Sequence, residues 1–438
     1  MRNEGDAQEK SAVQGLGQGS GRGSDQPPGR VLVVGASASG LSTVEALRRK
    51  GFVGGITVLG DEPHAPYDRP PLSKQVLSGA WEPGRAALCA QEQLTSLDAE
   101  FVYGETAVAL DPVARSVRTA SGREVAADAV VIATGVRARR LAGQEDLAGV
   151  HVLRSLDDAL ALRGDLVAGR RLVVVGEGVL GSEIAATART LGLEVTLAGP
   201  LAGPMALQVG PVVSGVLAEL HTERGVSLRL GEGVVGLAGE GGRVSGVRLA
   251  SGEVLAADVV VVAIGGIPAT GWLADSGLTL DNGVVCDARC RAAEGIYAVG
   301  DVSRWHHEGL GRLLRLENRT NATEQGMAVA GAILGADEPY APVPYFWTDQ
   351  FDAKLQVHGF LPVDAEVDVV EGDLAARRFV ARYRVGGRVT GVLGWNMPKQ
   401  TRLARQEVVD ALEAAPAPVE TTPPPPSTTP TLTPTPIH

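Results

Sequence analysis

The chain has few of the residues that mark a secreted or metal-binding protein. Its 438 residues include three cysteines, Cys89, Cys286 and Cys290, without a Cys-x-x-Cys or Cys-x₄-Cys pair. Three thiols cannot form a disulfide framework, so we expect free thiols and a reducing, cytoplasmic compartment. The seven histidines lack metal-ligand spacing, which predicts no metal site and places His306-His307 in a solvated loop.

Long apolar runs and excess positive charge are also missing. The longest apolar run, residues 259–267, is too short to cross a bilayer, so no membrane segment is expected. The net charge of −11 argues against nucleic acid as a partner, although a local basic patch could still face an acidic protein.

Neither end of the chain has the composition of a folded core. Residues 1–29 are rich in Gly, Ser and Gln and contain no apolar core of a signal peptide. Residues 413–438 are dominated by Pro and Thr. We therefore expect a disordered N-terminal extension and a disordered C-terminal tail.

What the chain does contain is one nucleotide-binding pattern, present twice. Val31–Gly40 and Leu172–Gly181 are each a short Val/Leu run, a Gly-rich turn and a helix-forming stretch. Such a turn brings backbone N–H groups to a pyrophosphate at the positive end of the next helix. One such loop is a weak signal, but two in one chain predict two dinucleotides that meet and exchange electrons.

Each half also ends in a later apolar strand that closes on a Gly turn, at 128–135 and at 258–266. Segments near 100–103, 106–110 and 115–118 predict a small antiparallel sheet, and alternating strands follow at about 354–396. The fold class predicted is α/β, with two interleaved Rossmann-like dinucleotide-binding domains and a C-terminal α+β domain.

The first turn carries Ser37 where the second Gly is expected, which we interpret as a tolerated variant because Ser is small. Asp61 follows the second strand of this half, where a carboxylate accepts ribose hydroxyls. Loop, helix and acid in this order predict dinucleotide binding.

The second turn has all three glycines, but neither an acid nor a base follows Leu197. The pattern predicts a nicotinamide nucleotide and leaves NADH or NADPH open. Selectivity is expected to be weak, and a Glu introduced at Gly199 is expected to favour NADH. Glu177 would repel the phosphates unless its side chain points outward.

Six motifs occur in an order that resembles the FAD-dependent ferredoxin reductases of bacterial cytochrome monooxygenases and ring-hydroxylating dioxygenases, the putidaredoxin-reductase and rubredoxin-reductase group. The resemblance covers residues 30 to 410, and the run from Tyr67 to Lys74 is its most specific part. The motifs are Gly35–Gly40, Gly60–Lys74, Ala133–Gly135, Gly176–Glu183, Tyr297–Asp301 and Tyr345–Gln350.

The resemblance implies a glutathione-reductase-like arrangement of domains. These are an FAD-binding domain (30–140 and 268–338), an NAD(P)-binding domain (141–267) and a C-terminal reductase domain (339–412).

The resemblance also implies roles for single residues. Lys74 and Glu183 would pair beside the reacting rings. Arg319 stands at the flavin edge, where many relatives have Trp, and Trp347 would lie near the flavin and the docking face of the iron–sulfur protein. The implied FAD-binding residues are Gly35, Ser39, Gly40, Asp61, Arg69, Lys74, Ala107, Arg154, Asp301 and Arg319. Those implied for NAD(P)H are Gly176, Gly178, Gly181 and Glu183.

The implied activity is transfer of electrons from NAD(P)H through FAD to a small iron–sulfur ferredoxin or rubredoxin that feeds an oxygenase. Two alternatives stay open. One is an NADH oxidase or disulfide reductase of the same fold, which needs a reactive Cys where 67–74 has none. The other is a flavoprotein switch resembling apoptosis-inducing factor. The oligomeric state is not predicted.

Overall fold

Two separate stretches of the chain, 30–132 and 291–298, build a largely parallel sheet around the first Gly-rich turn, and the unit that contains it is called the first half. The computed structural model describes residues 28–414, so the segments predicted to be disordered lie outside the described residues but for 28–29 and 413–414. The six strands of this first sheet are, in spatial order, Arg291–Ala293, Ile296–Ala298, Ala129–Ile132, Arg30–Val34, Gly55–Leu59 and Glu100–Val102.

Helices Ala38–Arg49 and Arg319–Ile333 pack closely together beside this sheet. Their approach depends on Gly326, where a Cβ would lie 2.8 Å from the Ser39 carbonyl oxygen. Thr43, on the first helix, also borders that position. Helix Arg319–Ile333 therefore packs directly against the start of the helix that follows the first Gly-rich turn.

A second parallel sheet is inserted between strands of the first. Two crossing segments, Val136–Ala138 and Gly266–Pro268, pair antiparallel where the chain leaves and re-enters the first half. The five strands of the second sheet are, in spatial order, Ser227–Leu230, Glu194–Gly199, Arg171–Val175, Val259–Val262 and Val150–His151. The helices of this half are Leu156–Asp165, Val179–Thr190 and Ala206–Glu223.

Two antiparallel meanders and one small sheet complete the two halves. The prediction for 100–103 is wrong, because Glu100–Val102 runs parallel to Gly55–Leu59 at the edge of the first sheet. The first meander instead takes its third strand from 124–126. The strands are Ala107–Asp111, Ser116–Thr119 and Glu124–Ala126; Val234–Glu240, Arg243–Leu249 and Val254–Ala256; and Val284–Cys286, Ser303–His307 and Arg312–Leu314.

The prediction of a solvated His306-His307 loop is also wrong. His307 is 1% exposed and ends a strand, where its ring nitrogen hydrogen-bonds the Pro342 carbonyl oxygen at 2.9 Å. Cys286 and Cys290 are free thiols, as predicted, and both are fully buried in the core of the first half.

The C-terminal unit is a five-stranded antiparallel sheet between two helices. One face packs on Ala206–Glu223 of the second half, where the Tyr383 hydroxyl donates to the Val209 carbonyl oxygen at 2.6 Å. Helix Pro398–Glu413 contacts the strands Arg388–Trp395 and Ala353–Gly359. The strands are, in order, Tyr345–Gln350, Ala353–Gly359, Arg388–Trp395, Arg378–Val385 and Glu366–Asp373. Within residues 28–414, no helix has the length and apolarity to cross a membrane.

Candidate active site between two glycine-rich turns

The first Gly of each turn has a backbone conformation that favours glycine. Gly35 has φ +121° and Gly176 has φ +110°. A Cβ would lie 2.2 Å from the Ala133 oxygen at the first position and 2.3 Å from the Ala263 oxygen at the second. Both turns therefore bend against the strand that closes their own half, as the repeated sequence pattern predicts.

The last Gly of each turn lets the helix begin close to the strand. A Cβ at Gly40 would lie 1.9 Å from the Gly35 oxygen, and one at Gly181 would lie 1.8 Å from the Gly176 oxygen. At the middle position, Gly178 faces open space. Ser37 takes its place in the first turn with φ −95°, so a side chain is accommodated there without backbone strain.

An ion pair lies beside the first turn. Arg154 Nη2 donates to Asp301 Oδ2 at 3.2 Å, and Arg69 donates to the Arg154 carbonyl oxygen at 2.5 Å. Burial raises the pKa of Asp301, which Arg154 opposes. A Cβ at Gly300 would lie 2.9 Å from Ser39 Oγ, so the residue that precedes Asp301 packs closely against the start of the first helix.

Two other predicted residues, Asp61 and Ala107, flank a pair of backbone contacts at the end of strand Gly55–Leu59. Asp61 follows this strand and is exposed. Gly104 and Glu105 donate backbone hydrogen bonds to the carbonyl oxygens of Glu62 and Gly60. Ala107 begins the strand that follows Gly104 and Glu105.

Lys74 and Glu183 meet, as predicted, in a nearly dry contact. Lys74 Nζ donates to Glu183 Oε2 at 2.7 Å, and their side chains are 11% and 6% exposed. Ser73 Oγ donates to the same oxygen at 2.6 Å. Thr348 Oγ1 donates to Oε1 at 2.8 Å. One carboxylate thus joins both halves and the C-terminal sheet, and no sequence spacing pointed to Thr348.

The position of Glu177 differs from the outward orientation that would keep its charge away from the phosphates. Its side chain does not point outward: the residue is 3% exposed, and Oε1 accepts a hydrogen bond from the Leu201 N–H at 2.7 Å. A Cβ at Gly199 would lie 1.7 Å from Glu177 Oε2, so the Gly199→Glu substitution is sterically blocked. An acid is present at this strand end, although it comes from the turn.

Four arginines that lie between residues 304 and 319, and that could form a basic patch for an acidic protein, each have a partner within the chain. Arg319 pairs with Asp68, Arg315 donates to Glu317 at 2.7 Å, and Arg304 pairs with Asp281. Arg312 lies over the Phe360 ring, at 4.9 Å from its centroid. Sequence order gave no indication of these pairings.

Trp347 lies on the opposite face of its strand from Thr348. Its ring stacks on Tyr345 with centroids 6.0 Å apart. Trp347, Lys354 and Gln356 line a cavity of about 530 Å³ at this edge of the C-terminal sheet. An aromatic wall beside a partly polar cavity suits a protein contact.

These residues fit two dinucleotides. Each turn leaves no room for a side chain at its first and last Gly, and the space around Gly178 is open for a phosphate. Within residues 28–414, no group of three or more His, Cys, Asp or Glu residues is arranged to hold a metal ion.

Comparison with known proteins agrees with this geometry. The family model for pyridine nucleotide-disulphide oxidoreductases matches residues 29–326, and the reductase C-terminal model matches 345–421. Rhodocoxin reductase of Rhodococcus erythropolis is 36% identical over 388 residues, which cover 88% of this chain and 91% of that protein. The benzene 1,2-dioxygenase system ferredoxin–NAD(+) reductase subunit of Pseudomonas putida is 36% identical over 382 residues, covering 86% and 92%.

The solved structure of putidaredoxin reductase in covalent complex with putidaredoxin superposes with a TM-score of 0.84. It is 31% identical, and the match covers 88% of this chain and 94% of that one. These matches confirm the predicted fold class and the use of FAD and a pyridine nucleotide. The chain belongs to the pyridine nucleotide-disulphide oxidoreductase family and is an oxidoreductase with the reductase C-terminal domain.

Proposed function

We propose that this enzyme passes electrons from NAD(P)H through FAD to a small ferredoxin that feeds an oxygenase in the cytoplasm. The observation that carries the proposal is the Lys74–Glu183 pair, which lies where both nucleotide-binding halves and the C-terminal sheet meet. The Pseudomonas putida relative is the ferredoxin–NAD(+) reductase subunit of a dioxygenase system. The three free thiols suit a reducing compartment.

The chain's own residues bind and orient the two nucleotides. Gly35, Ser39 and Gly40 would hold the FAD pyrophosphate, with Asp301 and Arg154 at the ribityl-phosphate end. Further FAD contacts would come from Asp61, Arg69, Ala107 and Arg319. Gly176, Gly178 and Gly181 would hold NAD(P)H. The same proposal divides the chain into the FAD, NAD(P) and C-terminal domains defined from the sequence.

FAD, when bound, supplies a centre that accepts two electrons with a hydride and releases them one at a time. Lys74 and Glu183 would stand beside it as a neutral pair that excludes water and fixes the approach of the nicotinamide. Since neither group has to accept a proton in this scheme, their role is positioning and charge balance.

The disulfide-reductase alternative is not favoured, because the segment 67–74 lacks cysteine and Cys286 and Cys290 are fully buried. The flavoprotein-switch alternative predicts a slower turnover of NAD(P)H than the reductase does. Rapid NAD(P)H turnover with a ferredoxin supports the reductase, whereas slow turnover with a long-lived charge-transfer complex would support the switch.

We expect Trp347→Ala to lower ferredoxin-dependent cytochrome c reduction by about tenfold, because the partly exposed ring would contact the partner. Ferricyanide reduction should change by less than about twofold, since this small acceptor needs no docking face. Salt should slow only the ferredoxin-dependent rate if an acidic partner is steered by charge. Val369→Ala, at the opposite edge of the same sheet, is the matched control.

Equal losses in both assays would place Trp347 in the support of the flavin. Unchanged rates in both would remove it from the mechanism.

We expect Asp301→Ala to weaken FAD binding by about tenfold or more, because it removes a charged hydrogen-bond acceptor and leaves Arg154 without its carboxylate. The ratio of flavin to protein absorbance after purification and after dialysis measures the loss. Asp258→Ala is the control, since Asp258 makes a similar ion pair with Arg171 at an exposed strand end. Full flavin occupancy in Asp301→Ala would move the binding group elsewhere.

A further inference from the structure

The carboxylate of Glu177 occupies the space where the side chain of residue 199 would lie if that residue were not glycine. In a dinucleotide-binding fold, an acid about 20 residues after the turn ends the second strand and accepts the ribose hydroxyls. Position 199 ends this strand and is glycine. The space of its missing side chain is filled by Glu177 Oε2, 1.7 Å from where a Cβ would lie.

The hydrogen bonds of Glu177 hold it there without neutralising it. Its carboxylate interacts with the backbone N–H groups of Leu201 and of Glu177 itself. It forms no ion pair within the described residues, 28–414, and the residue is only 3% exposed. Burial raises the pKa of Glu177, and the two backbone donors oppose that rise.

The carboxylate also keeps unused hydrogen-bonding capacity. An ionised carboxylate offers about four acceptor positions, and the two backbone donors occupy only part of them. A ribose with free 2′- and 3′-hydroxyls could donate to the remainder. A 2′-phosphate would instead bring a second anion beside a carboxylate that has no cation.

We propose that Glu177 determines the choice of nucleotide: its carboxylate accepts hydrogen bonds from the adenosine ribose hydroxyls of NADH and rejects the 2′-phosphate of NADPH. This inference rests on the proposed NAD(P)H site at Gly176–Gly181 and adds the specificity that the sequence pattern left open. It predicts a clear preference for NADH in place of weak selectivity.

The test compares the binding of ADP-ribose and of 2′-phospho-ADP-ribose to the FAD-loaded enzyme by calorimetry. The wild type should bind ADP-ribose at least about tenfold more tightly. Glu177→Gln keeps the size of the side chain and should reduce this discrimination by about tenfold, equivalent to about 1.4 kcal/mol. The ratio of kcat/KM for NADH and NADPH should shift in the same direction. Glu194→Gln, at the exposed start of the same strand, is the control.

A double variant that moves the acid from residue 177 to residue 199 separates a specific effect on nucleotide choice from a general loss of binding. Gly199→Glu alone should bind both probes poorly because its side chain meets the Glu177 carboxylate. The double variant Glu177→Gly/Gly199→Glu removes that conflict and carries an acid on the strand itself. It should recover the preference for ADP-ribose.

Similar affinity of the wild type for both probes, or unchanged discrimination in Glu177→Gln, would overturn the inference while leaving the reductase function intact. Binding of neither probe by an enzyme that retains FAD would instead count against the proposed nucleotide site and overturn this inference with it.

Discussion

Gly181→Ala is expected to lower NAD(P)H-dependent turnover by about 100-fold, equivalent to about 2.7 kcal/mol of lost transition-state stabilisation. The added Cβ would lie 1.8 Å from the Gly176 carbonyl oxygen, so the helix must move away from the turn. The backbone N–H groups would then no longer converge on a phosphate. FAD should stay bound, because the first turn is untouched. Stopped-flow reduction of the flavin by NAD(P)H measures the loss.

The repeated turn supplies a matched variant. Gly40→Ala creates the same conflict with Gly35 in the first half and should release FAD while the second turn stays intact. Gly215→Ala lies in a helix with open space around the new Cβ, and it should change neither property. Loss of FAD in Gly181→Ala as well would show that the two turns do not act separately.

Lys74→Met is expected to lower the free energy of unfolding of the FAD-loaded protein by about 3 kcal/mol or more. The substitution leaves the Glu183 carboxylate, 6% exposed, with two hydroxyl donors and no cation. Urea unfolding followed by flavin fluorescence and circular dichroism measures the change. Lys74→Met/Glu183→Gln should recover part of the loss, because no buried charge remains.

An exposed ion pair provides the comparison. Arg377 and Glu223 also form a short contact, but the Glu223 side chain is 60% exposed. Arg377→Met should therefore cost less than about 1 kcal/mol. A similar small cost for Lys74→Met would mean that water reaches Glu183 and that the pair does not keep the site dry.

The two Gly-rich turns could be predicted from the sequence, because each glycine is required by the backbone conformation of its own turn. Gly35 and Gly176 have positive φ, a conformation that favours glycine, so the glycines in the turn sequence indicate it directly. The segment at 100–103 was assigned to the wrong sheet because a three-residue strand carries no signal that separates parallel from antiparallel pairing.

Contacts between distant segments could not be predicted in the same way. Thr348 reaches Glu183 only because the C-terminal sheet docks on the second half. Glu177 and Gly199 illustrate the same limit. A motif search looks for the acid on the strand, whereas the structure supplies it from the turn, and only the packing of the two segments reveals the exchange.

The insertion of one sheet inside another has a consequence for the order in which a growing polypeptide can fold. The strands from Val150–His151 to Val259–Val262 are contiguous in sequence and can pair as soon as they leave the ribosome. Strand Ala129–Ile132 must wait for Ile296–Ala298, its neighbour on the outer side. During that interval its edge is open to other chains. We therefore expect translation products that end before Ile296 to aggregate more readily than the full chain.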